Sequence, residues 1–228
     1  MLDALLADLT LRGDPAAWPG TVVCGVDGFP AGLEGVRQAA ALADAHSHLA
    51  LVTVTPSPGH PLFLPLPGGA KTALAAAGRI AASLGAHPAT HVVSATSPAE
   101  GLARAAADAD VLVVGSHDIE TTHGVALGRV VKPLLSMARC SLLIARRPPD
   151  RPVFEVIALA AGSSPFTTLI AGHLAAEHGS ELRTVPSASV ATSAAAIGSG
   201  LVVTSDGAEG ARIAREAPCS VLIVRERA

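Results

Sequence analysis

Residues Val111–Val130 read VLVVGSHDIETTHGVALGRV. Four consecutive apolar residues, three of them valine, make a short strand with no polar face, as a strand buried on both sides requires. Gly115 closes it, a polar stretch carrying two further glycines follows, and apolar residues at helical spacing resume toward Met137. Outward from this unit the same alternation repeats. Thr21–Asp27, Leu49–Thr55, His91–Ala95 and Ser141–Ala145 also read as strands. Gly32–Ala45, Ala70–Leu84, Pro98–Asp108 and Gly124–Met137 read as Ala-rich amphipathic helices. Ser97-Pro98-Ala99-Glu100 is a helix start, with an N-cap serine, proline at the first helical position and an acid in the first turn. Strict alternation of continuous apolar strands with helices predicts a doubly wound parallel α/β sheet of about five strands in the first 150 residues.

Composition narrows the function. The 228 residues carry 16 Lys+Arg against 19 Asp+Glu, a net charge of −3, with 50% hydrophobic and 15% charged residues. Such a chain folds, and its near-neutral charge argues against tracking a phosphate backbone. Aromatics are 2%, which excludes a base-stacking platform. Cys24, Cys140 and Cys219 are far apart and odd in number, so buried thiols are expected rather than disulfides or a zinc site. No apolar run approaches the roughly 20 residues of a membrane span. Asp3 and Asp8 stand where a signal peptide would be basic and then apolar. The expectation is a reduced, cytoplasmic protein with neither nucleic acid nor membrane as partner.

The chain repeats itself. Ala138–Arg146 is ARCSLLIAR and Ala217–Arg225 is APCSVLIVR, an offset of 217 − 138 = 79. Upstream, Val113-Val114-Gly115-Ser116 meets Val202-Val203-Thr204-Ser205 at an offset of 89, so the second copy lacks 89 − 79 = 10 residues there. VVCGVDGF from Val22 is echoed by VIALAAGS from Val156, which sets Ala161 against Asp27. Between Val185 and Val202 the second copy has only a Ser/Ala-rich connection. These features predict a tandem repeat with a reduced second copy. The expected division is a helical segment and linker at 1–19, a complete domain at 20–149 and a truncated one at 150–228, hinged at the proline-rich Arg146–Pro152. Leu2, Leu5, Leu6 and Leu9 give the first segment one apolar helical face, suited to patching the body or docking a partner.

In such a sheet, ligands lie beyond the carboxyl ends of the strands. After the first strand come Val26, Asp27 and Gly28, whose carboxylate can accept from a ribose hydroxyl or an adenine amino group, or stand as an acid at a helix start. After the fourth, Gly115–Val130 is a glycine-bearing loop ahead of a helix, able to present amides to phosphate. With the closing strand, these residues resemble the universal stress protein family, well over about 20–147 and in truncated form over 153–228. The resemblance implies a flavodoxin-like (Rossmann-like) fold and a stress-associated regulatory module rather than an enzyme.

It also implies an ATP pocket built on G-x-x-G-x(9)-G-[ST]. Asp27 matches the adenosine-contacting acid, Val54 the position whose backbone meets adenine, and Gly115, Ser116 and His117 the loop opening. Gly128 falls on the third glycine, with Arg129 and Val130 after it. Two positions depart from the pattern: Asp118 replaces the second glycine and Arg129 the Ser/Thr. Asp118 sets a like charge beside phosphates, costing on the order of 4 kcal/mol at 4 Å and an effective dielectric near 20, unless Mg²⁺ bridges them. Arg129 either pairs with phosphate or with Asp118. Three readings stay open: an ATP-responsive module, an interaction scaffold without nucleotide, and a slow Mg²⁺-dependent ATPase. Family members pair through their last strands, so Ser141–Ala145 is expected beside Ser220–Val224 as an intramolecular pseudo-dimer, with further homodimerisation open.

Other signals fail on inspection. Gly68-Gly69-Ala70-Lys71-Thr72 has alanine where a P-loop needs glycine, and the histidines lack metal-ligand spacing. No nucleophile, base and orienting group share the strand ends, so neither a catalytic set nor a metal site is predicted.

Overall fold

A computed structural model describes residues 18–43, 47–58, 68–116, 119–121, 124–146 and 152–226. The leucines of the first segment, most of the proline hinge, and His117, Asp118 and His123 lie outside the described residues. The first half runs β1 (Thr21–Gly25), α1 (Pro30–Leu42), β2 (His48–Pro56), α2 (Gly69–Ser83), β3 (Ala89–Ala95), α3 (Pro98–Ala105) and β4 (Val111–Gly115). A small hairpin follows, β5 (Ile119–Thr121) and β6 (Gly124–Ala126), then α4 (Val131–Met137) and β7 (Ser141–Ala145). The second half is β8 (Val156–Ala160), α5 (Pro165–His178), β9 (Glu181–Val185), α6 (Val190–Ala196), β10 (Leu201–Ser205), α7 (Ala208–Glu216) and β11 (Ser220–Val224). Ser97 caps α3 as its sequence predicts, accepting from the Glu100 amide at 3.2 Å.

All nine long strands form one sheet, ordered β3-β2-β1-β4-β7-β11-β10-β8-β9. Every pair is parallel except β7–β11. Val111–Val114, Leu142–Ile144 and Val221–Ile223 are fully or almost fully buried. That accounts for their lack of a polar face, because helices cover both sides. One apolar layer joins the sheet to α1, α2 and α5, the other to α3, α4, α6 and α7. Each buried Leu, Ile or Val there contributes about 1.5–3 kcal/mol.

Two expectations are corrected. The helix read as Gly124–Met137 begins only at Val131, and its first residues are the β6 strand of a hairpin. Gly124 and Gly128 are poor helix formers, whereas Ile119, Thr121 and Val125 favour extended backbone. The Ser/Ala-rich connection in the second half holds the helix α6, so the elements lacking a counterpart there are α2, β3 and the hairpin.

Register moves the internal alignment by one residue. Val111 pairs with Ser141 and Leu201 with Ser220, so these strands differ by 201 − 111 = 90 rather than 89, and the shortfall is 90 − 79 = 11 residues. Val22 correspondingly matches Ile157, an offset of 135, which puts Gly162 rather than Ala161 against Asp27. The side-chain period of two decides this: Val113 and Val203 share one apolar layer, and Leu112 and Val202 share the other.

The two closing strands lie antiparallel with Leu143 opposite Leu222, equivalent positions under the offset of 79. The polar contacts obey the same two-fold relation. The Arg146 amide donates to Ser220 Oγ at 2.9 Å, and the Arg225 amide to Ser141 Oγ at 3.1 Å. The Arg146 guanidinium donates to the Ala214 carbonyl and that of Arg225 to its equivalent, Leu135, while their second acceptors, Cys219 and Ala138, are not equivalent positions. The repeated A-x-C-S-x-L-I-x-R strings are the two sides of this seam.

Candidate functional site

Strand order reverses between β1 and β4, so a crevice opens beyond their carboxyl ends. The Val26 amide donates to the Val52 carbonyl at 2.8 Å, and Thr53 Oγ1 donates to the Val26 carbonyl at 2.9 Å, which fixes the exit of β1. Asp27 follows, half-buried, with Oδ1 accepting from the Phe29 amide at 3.0 Å. This Asx turn, with Gly28 at φ 76°, delivers the chain to Pro30 at the start of α1. The Asp27 charge is felt by its surroundings. Burial pushes the Cys24 thiol far above its ordinary range, and the Asp27 carboxylate pushes it further.

The first turn of α1 joins the candidate residues. A Cβ on Gly32 would lie 2.2 Å from Asp27 Oδ1, and one on Gly115 would lie 2.1 Å from the Ala31 carbonyl oxygen. Both positions must be glycine for helix, carboxylate and β4 end to meet this closely. Gly32 was not among the predicted site residues. Its signal is the pair Gly32 and Gly35 on one face of a helix starting just after an aspartate, with a Cβ on Gly35 only 3.2 Å from the Gly115 nitrogen. Val54, buried on β2, lies two residues past the last β1–β2 pair, Gly25–Val52.

Beyond β4 the loop is reorganised. Ser116 is buried and its amide donates to the Ala145 carbonyl at 2.9 Å, committing that donor to the neighbouring strand. The β5–β6 hairpin then carries the chain across the seam, with β6 against α7 of the second half. Gly128, Arg129 and Val130 stand after the hairpin, at the entry to α4. Arg129 is exposed, and a Cβ on Gly128 would meet nothing within 4 Å.

The equivalent place in the second half is filled. Ser205 occupies the position of Gly115 and Thr167 that of Gly32, and their hydroxyls are 2.9 Å apart. The Ser164 amide donates to Ser205 Oγ at 2.8 Å, which closes the cluster. Twelve residues separate Gly115 from Gly128, but only Asp206 separates Ser205 from Gly207. Beside this cluster, a cavity of about 1000 Å³ is lined by residues of both halves, Asp108, Leu135, Arg139, Ser205, Asp206 and Arg225 among others, away from Asp27. Asp206 is already 3.0 Å from Arg225 Nε. Among the described residues, no group of three His, Cys, Asp or Glu could hold a metal ion, and no helix is long and apolar enough to cross a membrane.

The family model of the universal stress proteins matches residues 20–146. The chain belongs to the universal stress protein family. A universal stress protein from Archaeoglobus fulgidus DSM 4304 is similar in fold across both halves: TM-score 0.69 and 10% identity, covering 92% of this chain and 100% of its own. A functionally unknown protein from Pseudomonas aeruginosa PAO1 has TM-score 0.63 and 13% identity, covering 94% and 95%. A universal stress protein solved in complex with cAMP is 26% identical over 55% of this chain and 96% of its own, at TM-score 0.47. No protein of curated function matches the chain. As a universal stress protein, the chain holds its matched region in β1–β7 and pairs the last matched strand with β11.

Proposed function

We propose that this universal stress protein is a regulatory module with a single adenosine-nucleotide site in its first half, bounded by Asp27, Val54 and the Gly115–Val130 loop. The observation that carries the reading is the carboxylate of Asp27 at the switch point, beside a glycine at 32 that leaves it room. A half-buried carboxylate next to helix α1 suits the hydroxyls of a ribose, and Arg129 at the entry to α4 suits phosphate. The second half has neither carboxylate nor glycine contact at the equivalent place, and serves instead as the permanent partner in an intramolecular pseudo-dimer across β7–β11.

Calorimetric titration of the whole chain with ATP and AMP, with and without Mg²⁺, tests this. Asp27→Asn keeps the acceptor for the Phe29 amide but loses the charge, so it is expected to weaken binding about tenfold or more without unfolding. Equal affinity in wild type and Asp27→Asn would place the nucleotide elsewhere. No binding in either would favour the interaction scaffold, a reading to which the commitment of the Ser116 amide already lends weight.

A further inference from the structure

Strand β9 ends the sheet, and it is built for a neighbour it does not have. In the first half β2 is the matching strand: Leu49 pairs with Val22, as Leu182 pairs with Ile157. Leu49 is 6% exposed beneath α2 and beside β3, whereas Leu182 is 37% exposed because neither element has a counterpart in the second half. Four of the five β9 residues are exposed, and among the described residues only β8 pairs with it. The edges of β7 and β11 are not available for association, since these strands already occupy each other.

The charges along β9 specify what covers it. Glu181 and Arg183 flank Leu182 on the opposite face, with Arg183 Nη2 2.6 Å from Glu181 Oε1. If two copies set β9 edge to edge, antiparallel and centred on Leu182, each Glu181 stands opposite the other copy's Arg183 and the two Leu182 side chains meet on the axis. Opposite charges directly across an antiparallel pair attract, and a two-fold contact satisfies both at once. Shifting the pairing by one residue sets Leu182 against Arg183 and loses both contacts. The other edge strand, β3, has no such self-complementary pair: centred on its exposed Val92, it sets His91 against Val93.

We infer that two chains associate through β9, extending the sheet across an isologous antiparallel β9–β9 pair with reciprocal Glu181–Arg183 contacts. The association is weak and concentration-dependent, because the strand is short and its rim is charged. Sedimentation equilibrium of the full chain at low salt tests it, with circular dichroism as a check on folding at these exposed positions. A dimer is expected whose Kd rises about tenfold or more in Arg183→Glu, which sets Glu against Glu, and likewise in Leu182→Lys. The double exchange Glu181→Arg with Arg183→Glu is expected to restore it. A chain monomeric at every concentration would overturn the inference. So would a dimer indifferent to Arg183→Glu, whether it forms through β3 or another surface.

Discussion

Arg146 and Arg225 show how a single residue type closes the seam. Arg146 is almost fully buried, its carbonyl accepts from Gln38 Nε2 at 2.8 Å, and its guanidinium holds the Ala214 and Cys219 carbonyls. Burying a guanidinium is tolerable only with such partners. Arg146→Ala strips both carbonyls of their donor and is expected to cost about 3 kcal/mol or more, read from urea unfolding. The paired strings already exposed these arginines in the sequence as repeated letters, but not their crossed hydrogen bonds, because a string shows equivalence and not direction. Asp27 was legible for the opposite reason: an acid immediately after an apolar strand needs no distant residue to be noticed. Gly32 was not, since its meaning depends on where the Asp27 carboxylate turns.

At the scale of elements, the helix α5 ends in a titratable contact. The His178 ring stacks on Phe154, with centroids 4.2 Å apart and planes 7° from parallel. Burial holds the His178 imidazole below its ordinary range, with Glu177 opposing and His173 adding to the shift. The folded state thus favours the neutral ring. The contribution to stability is whole above about pH 6.5 and is lost as pH falls through the lower folded-state value. Urea midpoints at pH 7.5 and 5.5 are expected to differ less in His178→Phe than in wild type. Strands Val111–Gly115 and Ser141–Ala145 match their sequence reading residue for residue, because continuous apolar runs between polar turns have one solution. The hairpin inside Gly115–Gly128 reads as loop and helix in the sequence, since two three-residue strands carry too little periodicity to declare themselves.

Over the whole molecule, one sheet binds the two halves through β7 and β11, whose facing residues Leu142, Leu143 and Ile144 are buried. A chain cut after residue 149 leaves β7 as a bare apolar edge, and is expected to aggregate, or to dimerise far more tightly, by light scattering than the intact chain at the same concentration. The doubly wound class was legible from alternation alone. The one-residue slip in the second copy was not, because similar letters align equally well on either face of a strand and only the ladder chooses. The central claim is a nucleotide site in the first half and none in the second, where Ser205 and Thr167 fill the equivalent place. Calorimetric stoichiometry with ATP on the intact chain tests it most directly. One nucleotide per chain is the expected result, and two per chain, or none, would contradict it.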